Sequence, residues 1–390
     1  MIDIEKIRAE TPGIDFSTHL LACGSSLMPQ RVVDVILEHT QLEALMGGYE
    51  AEAKKIDDLN KIYDVVAEHI GANSNEIALM ENSTVAWSHA FYALPLKSGS
   101  RILTSEAEYA ANYVAFLQRA KRDNLTIDII PSDQYGTLDT NALEAMVDER
   151  VGLIAISWIP TNGGLVNPAE DVGKVAKKYN IPYLLDACQA AGQMQIDVNK
   201  IQCDFLSATG RKFLRGPRGT GLYINEKWLG TIEPVMIDHF GAPWVEKNFY
   251  ELREDARRFE TWENSYALRA GLGEAIKYAE EIGIDLIHER VQLLAKFNRD
   301  LLSDIKNIQL RDIGSEQCGI ISFSIDEKND PKEIVDQMSE AGFAIGLVGP
   351  ESTLIDSERR NLPTLLRMAP HYYNTEDEIE KAVKQVSLLL

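Results

Sequence analysis

Lys212 lies in the segment Ser207-Ala-Thr-Gly-Arg-Lys-Phe-Leu-Arg-Gly-Pro-Arg-Gly-Thr-Gly-Leu-Tyr223, after a short apolar strand pattern and before Gly216, Gly219 and Gly221. A lysine in a turn at a strand end can hold a carbonyl cofactor as a Schiff base. Its ammonium gives up a proton when desolvated or set near other cations, and Arg211, Arg215 and Arg218 are such cations. Taken alone, the segment reads equally well as a solvated basic turn. Asp186 shifts that balance. It closes the run Ile181-Pro-Tyr-Leu-Leu-Asp186, which reads as a buried parallel strand. Ligands of open α/β sheets bind beyond the carboxyl ends of the strands. An aspartate there can keep a pyridinium nitrogen protonated, or it can simply open a loop or cap a helix.

Gln189 follows Asp186 by three residues, and with Lys212 beyond them the chain resembles the class V aminotransferase family of pyridoxal-phosphate enzymes. The resemblance implies pyridoxal 5'-phosphate as cofactor and Lys212 as Schiff-base lysine and general base. Thr209-Gly-Arg-Lys212 is similar to the family's Ser/Thr-x-His-Lys, with Arg211 in place of the usual histidine. Glu81-Asn-Ser-Thr-Val-Ala-Trp87 corresponds to the phosphate loop, where Ser83 and Thr84 offer hydroxyls and the next helix its N-terminus. Without that position, Asn-Ser-Thr is an ordinary helix cap. Further cofactor contacts implied are Tyr109, stacking on the ring, and Thr161 and Asn162. Arg367, in Leu366-Arg-Met-Ala-Pro-His-Tyr-Tyr-Asn-Thr375, is the expected clamp for the substrate α-carboxylate. Tyr373, Asn374 and Thr375 read as architecture, because Thr375 and Glu378 form a capping box. On the substrate side the resemblance adds Ser25 and Tyr49. Tyr49 sits in Gly47–Glu52, read as a loop lent across a homodimer, although a surface turn explains it nearly as well.

The chain also departs from the family pattern. Desulfurase members carry a mobile cysteine about 15 residues before the carboxylate arginine, and Gly349–Pro363 holds none. Cys23 is the only thiol that the pattern places near the site, and a core role suits it better. Glu263 replaces the threonine that relatives lend to the neighbouring subunit's phosphate, so Arg211 or Arg215 is expected to bridge. These features look closer to the branch of ergothioneine-pathway C–S lyases and isopenicillin N epimerase-like proteins. The reaction implied is β-elimination, of C–S lyase type, on a cysteine-derived amino acid. Transamination and epimerisation are the alternatives, and a non-catalytic cofactor-binding or regulatory protein is the alternative of another class.

Positioning these residues requires a large scaffold. The chain has 390 residues with 45% apolar content, enough for two domains. Strands are predicted at Ile77–Met80, Arg101–Thr104, Leu125–Ile130, Gly152–Ser157, Tyr183–Asp186, Phe205–Ala208 and Gly221–Ile224. Helical spacing at Tyr113–Asp123 and Ala169–Tyr179 lies between them. The alternation predicts an α/β fold, and the resemblance specifies fold type I, with a seven-stranded mostly parallel sheet and a smaller α+β C-terminal domain. The expected division is 16–270 for the large domain, and 1–15 with 283–390 for the small one, joined by a helix near 267–282. Sixty Asp and Glu against 39 Lys and Arg give a net charge of −21, which argues against nucleic acid or anionic membrane partners. There is no signal-peptide layout, no membrane-length apolar run and no metal motif among the seven histidines, and the four cysteines are scattered. The expected location is cytoplasmic.

Overall fold

The computed structural model describes residues 2–390. Its centre is a seven-stranded sheet of β1 (Ile77–Met80), β2 (Arg101–Ser105), β3 (Thr126–Ile130), β4 (Val151–Ser157), β5 (Tyr183–Asp186), β6 (Phe205–Thr209) and β7 (Thr220–Ile224). The strand order is β1-β7-β6-β5-β4-β2-β3. Only β7 runs against its neighbours; β3, β2, β4, β5 and β6 pair in parallel. Alternate strand residues serve opposite faces, as a period of two requires. Leu79, Ile154 and Leu185 enter one apolar core, while Ala78, Leu153 and Leu184 enter another. Both faces are therefore buried, which explains why these strands read as continuous apolar runs.

Helices supply the covering layers: α1 (Gln30–Met46), α2 (Gly48–Ile70), α3 (Ser83–Ala93), α4 (Ala110–Asp123), α5 (Ala169–Tyr179) and α6 (Tyr266–Ile282). Local chemistry sets their ends. Asn82 caps α3 by accepting from the Val85 N–H at 3.0 Å. Asn124 and Asn180 end α4 and α5 in the left-handed conformation that asparagine tolerates. The Gly47–Glu52 segment corrects its expected loop character. Gly48 opens the 23-residue helix α2, whose apolar stripe packs on α6. The two adjacent glycines do make a corner, Gly47 at φ +98° ending α1 and capping α2, but the residues after them are helical.

After α6 come α7 (Ile284–Ser303) and a four-stranded antiparallel sheet of β8 (Ile308–Leu310), β9 (Ile321–Ile325), β10 (Gly346–Val348) and β11 (Leu365–Met368), in the order β8-β9-β11-β10. Ile321, Phe323, Leu366 and Met368 share a third core with Ile379 and Val383 of α8 (Glu376–Leu389). The capping box at the start of α8 is formed: Glu378 N–H donates to Thr375 Oγ1 and Thr375 N–H to Glu378 Oε2. The N-terminal segment joins this unit, since Thr18–His19 pairs in parallel with Phe343–Ala344. Among the described residues no helix is long and apolar enough to cross a membrane.

Candidate active site

The carboxyl ends of β1, β2, β4, β5 and β6 face one cavity of about 620 Å³, a size suited to a small organic ligand. Its wall includes Ser83 and Thr84 after β1, Tyr109 after β2, Thr161 after β4, Asp186, Cys188 and Gln189 at β5, and Thr209, Arg211 and Lys212 at β6. Arg367 reaches it from β11, and Cys23 and Gly24 from the N-terminal segment. Residues from Ser83 to Lys212 meet because parallel strands present their ends on one side of the sheet, and the C-terminal sheet and N-terminal segment bring Arg367 and Cys23 to the same place.

Lys212 is held by a tight loop. Arg215 N–H donates to Lys212 O at 3.0 Å and Gly216 N–H to Gly210 O at 2.8 Å. Gly192 lies directly behind, at φ +91°, where a Cβ would come within 2.3 Å of Phe213 C and Leu214 N. Burial pushes the Lys212 ammonium below its ordinary value and Arg211 pushes the same way, while Cys188, Asp186 and Cys23 oppose them. Asp186 is oriented by Cys188 N–H at 2.9 Å and by Asn112 Nδ2 at 3.1 Å. Burial raises the Cys188 thiol to about 12, so it stays protonated. Thr209 Oγ1 donates to Gly219 O at 3.4 Å.

Arg367 donates through Nη1 to Thr161 O and Oγ1 at 2.8 and 2.9 Å, and through Nη2 to Leu347 O. Its Nε is buried without a partner, and so is Gln189 Oε1, whose Nε2 donates to Cys23 O. Buried polar atoms seldom stay unpaired, and two on one wall suit a polar ligand. The N-terminus of the 11-residue α3, with Ser83, Thr84 and the cations Arg211 and Arg218 on the same wall, suits an anion such as phosphate. The residues present therefore fit pyridoxal 5'-phosphate.

Three expected positions, Asn162, Ser25 and Arg215, need correction. Asn162 turns away from the cavity and donates to the buried carboxylate of Asp356 at 2.9 Å, which needs donors for its lone pairs. Ser25 is exposed at the end of a turn closed onto Leu21 O, leaving Cys23 and Gly24 to face the cavity. Arg215 cannot bridge to a phosphate, because it is fully buried and donates to Thr11, Leu27 O and Tyr372. Tyr49 and Glu263 lie together outside this chain's cavity, with Tyr49 Oη 3.5 Å from Glu263 Oε1 and its ring against Trp262. Cys188 also joins Cys23 as a thiol on the wall. Its place inside Asp186-Ala-Cys-Gln189 was the available signal, because both flanking residues of that turn already pointed inward. The segment Gly349–Pro363 is folded, with Gly349, Glu351 and Ser352 at the cavity and Asp356 fixed by Asn162 and Arg360.

A fold of type I and a cavity so equipped define a pyridoxal-phosphate enzyme. The family profile "Aminotransferase class-V" matches residues 18–382, and the chain belongs to that family. It is 26% identical over 389 residues to a probable cysteine desulfurase of Pyrococcus abyssi (strain GE5 / Orsay), covering 96% of this chain and 95% of that protein. The apo structure of a cysteine desulfurase from Thermococcus onnurineus NA1 superposes with a TM-score of 0.92 at 25% identity, covering 100% of this chain and 98% of the other. The cystine C–S lyase C-DES, in complex with its product cysteine persulfide, has the same fold, with a TM-score of 0.86 at 21% identity over 97% of this chain and 99% of that one.

Proposed function

We propose that the protein catalyses β-elimination on a cysteine-derived amino acid, with Lys212 carrying pyridoxal 5'-phosphate and acting as the base at Cα. The observation that carries this reading is a half-buried lysine whose proton affinity is lowered, on a cavity wall shared with Asp186 and Arg367. When bound, the cofactor supplies an electron sink for the pair left at Cα. Asp186 would pair with the ring nitrogen, Tyr109 would cover the ring, and Ser83, Thr84, Arg211 and Arg218 would hold the phosphate. Arg367, on the cavity wall, would clamp the α-carboxylate through its guanidinium. That clamp fixes Cα relative to Lys212, whose neutral amine removes the α-proton. The Cβ–S bond then breaks, sulfur departs as thiolate, and the carbon skeleton hydrolyses to pyruvate and ammonia.

The folded, cysteine-free Gly349–Pro363 segment favours elimination over sulfur transfer to that loop. C-DES, a lyase on cystine, offers a precedent for such chemistry on the same fold. The exposed aromatic residues Tyr49, Trp262, Trp244 and Phe249 support a homodimer in which Tyr49 and Glu263 face the partner's cavity.

The test is incubation with cystine, cysteine and cysteine conjugates. Pyruvate appearing with released thiol or persulfide is expected. Lys212→Ala is expected to lose the cofactor's visible band and about 10³-fold or more of turnover. Stoichiometric conversion of the cofactor to its amine form without sulfur release would replace elimination with transamination.

A further inference from the structure

Glu108 is buried behind the cavity wall, and the proposed mechanism leaves it unused. Its carboxylate collects five donors. Oε1 accepts from Tyr109 N–H at 2.9 Å, Asn112 Nδ2 at 2.9 Å and Ser157 Oγ at 2.6 Å. Oε2 accepts from Ser157 N–H at 2.8 Å and Thr104 Oγ1 at 3.1 Å. Asn112 gives its other amide hydrogen to Asp186 Oδ2 at 3.1 Å. One side-chain amide therefore links two carboxylates, each accepting one of its hydrogens. Glu108 also lies just before the N-terminus of α4, whose dipole favours a negative charge there.

Such a cluster exceeds what packing requires. A buried carboxylate is costly, and an apolar residue would fill the same space more cheaply. Three of the five donors come from the residues that would frame the cofactor ring or the strand end beneath it: the Tyr109 backbone and both groups of Ser157.

We propose that Glu108 is a positioning residue for the cofactor ring, fixing Asp186 through Asn112 and Tyr109 through its N–H, and setting a second negative charge behind the ring nitrogen. This rests on the reading that places the ring between Asp186 and Tyr109. Added negative potential favours a proton on the ring nitrogen. A protonated ring draws electrons from the Lys212–cofactor linkage and lowers the pH at which that linkage loses its proton. Burial and, less strongly, the Asp186 charge raise the Glu108 carboxyl, while the hydrogen bonds from Ser157, Asn112 and the Tyr109 N–H oppose that. The other titratable groups facing this cluster are Tyr183 of β5, Cys188 and Lys212. Burial keeps the first two protonated, and all three persist when Glu108 is replaced.

The experiment is a pH titration of the visible absorption band of the holoenzyme, comparing wild type with Glu108→Gln and Asn112→Ala. In Glu108→Gln the midpoint is expected to rise by about one pH unit, a tenfold change in proton affinity. Its kcat is expected to fall while KM for the amino acid stays unchanged. Asn112→Ala, which breaks the link but retains Glu108's other four donors, is expected to shift the midpoint the same way. A folded variant with an unmoved midpoint and an unchanged kcat overturns the proposal. Failure of both variants to fold assigns the pair to the core alone and overturns it too. A wild-type protein that never acquires the band refutes the cofactor reading itself, a different result from a band that forms and does not shift.

Discussion

Lys212, half-buried, and His371, fully buried, are two bases whose proton affinity is lowered, the second hydrogen-bonded to the residue after the first. His371 Nε2 donates to Phe213 O at 2.7 Å, and its Nδ1 accepts from Tyr372 N–H at 2.9 Å, so both ring nitrogens are committed in the uncharged tautomer. Burial, with Arg215 nearby, holds its proton affinity well below the ordinary 6.5. In the unfolded chain the same imidazole protonates near that value. As pH falls below about 6.5, the unfolded state therefore binds a proton that the folded state refuses, and stability declines until the folded-state value is passed. His19 and His89, also pushed down by burial, add to the slope. Denaturant melts between about pH 5 and 7.5 are expected to show His371→Gln losing less stability on acidification than wild type, by up to about 1.4 kcal/mol per pH unit. Parallel pH curves for the two proteins would contradict this. None of it was legible in the sequence, where His371 was one residue of the Arg367–Thr375 signature. Lys212 and Asp186 were legible because each closes an apolar strand run. Glu108, just before α4, and Asn112, in its first turn, stand four apart, yet nothing in one sequence says that a carboxylate there is buried.

At the level of elements, the strands were readable because each is an apolar run buried on both sides. Their predicted ends differ from the observed ones by a residue at most. Helix α2 was missed, since its opening glycines resemble a turn and tertiary packing on α6 overrides that local preference. The direction of Asn162 was equally unreadable, because its partner Asp356 lies 194 residues away. The close approach that bears on the site is at Gly192, where the segment after β5 touches the Lys212 loop. Gly192→Ala would place a methyl 2.3 Å from two backbone atoms in a conformation with φ of +91°. It is expected to cost about 3 kcal/mol in thermal or denaturant melts and to weaken cofactor retention on dialysis. A variant as stable as wild type that keeps its cofactor would show that the loop yields without consequence.

For the whole molecule, surface charge and the aromatic patch act in opposite directions. At −21 per chain, two copies repel at long range. The patch around Trp262, which stacks on His239 at 5.1 Å between centroids, offers short-range apolar contact. Sedimentation is expected to show a dimer that tightens as salt screens the repulsion. Trp262→Glu is expected to give folded monomers with turnover reduced about tenfold or more, since Tyr49 and Glu263 would no longer reach a partner's cavity. A fully active wild-type monomer would remove those two residues from the site.

Arg215 has a consequence in time as well as in space. Fully buried behind Lys212, it is held by Thr11 and Leu27 from the start of the chain and by Tyr372 from its end. During synthesis the central sheet can pair while Tyr372 is still unmade, but the turn bearing Lys212 then lacks its brace. A half-made chain would present its lysine to cellular aldehydes as an ordinary amine. That amine can become selective only once synthesis has passed Tyr372 and the brace on Arg215 can form.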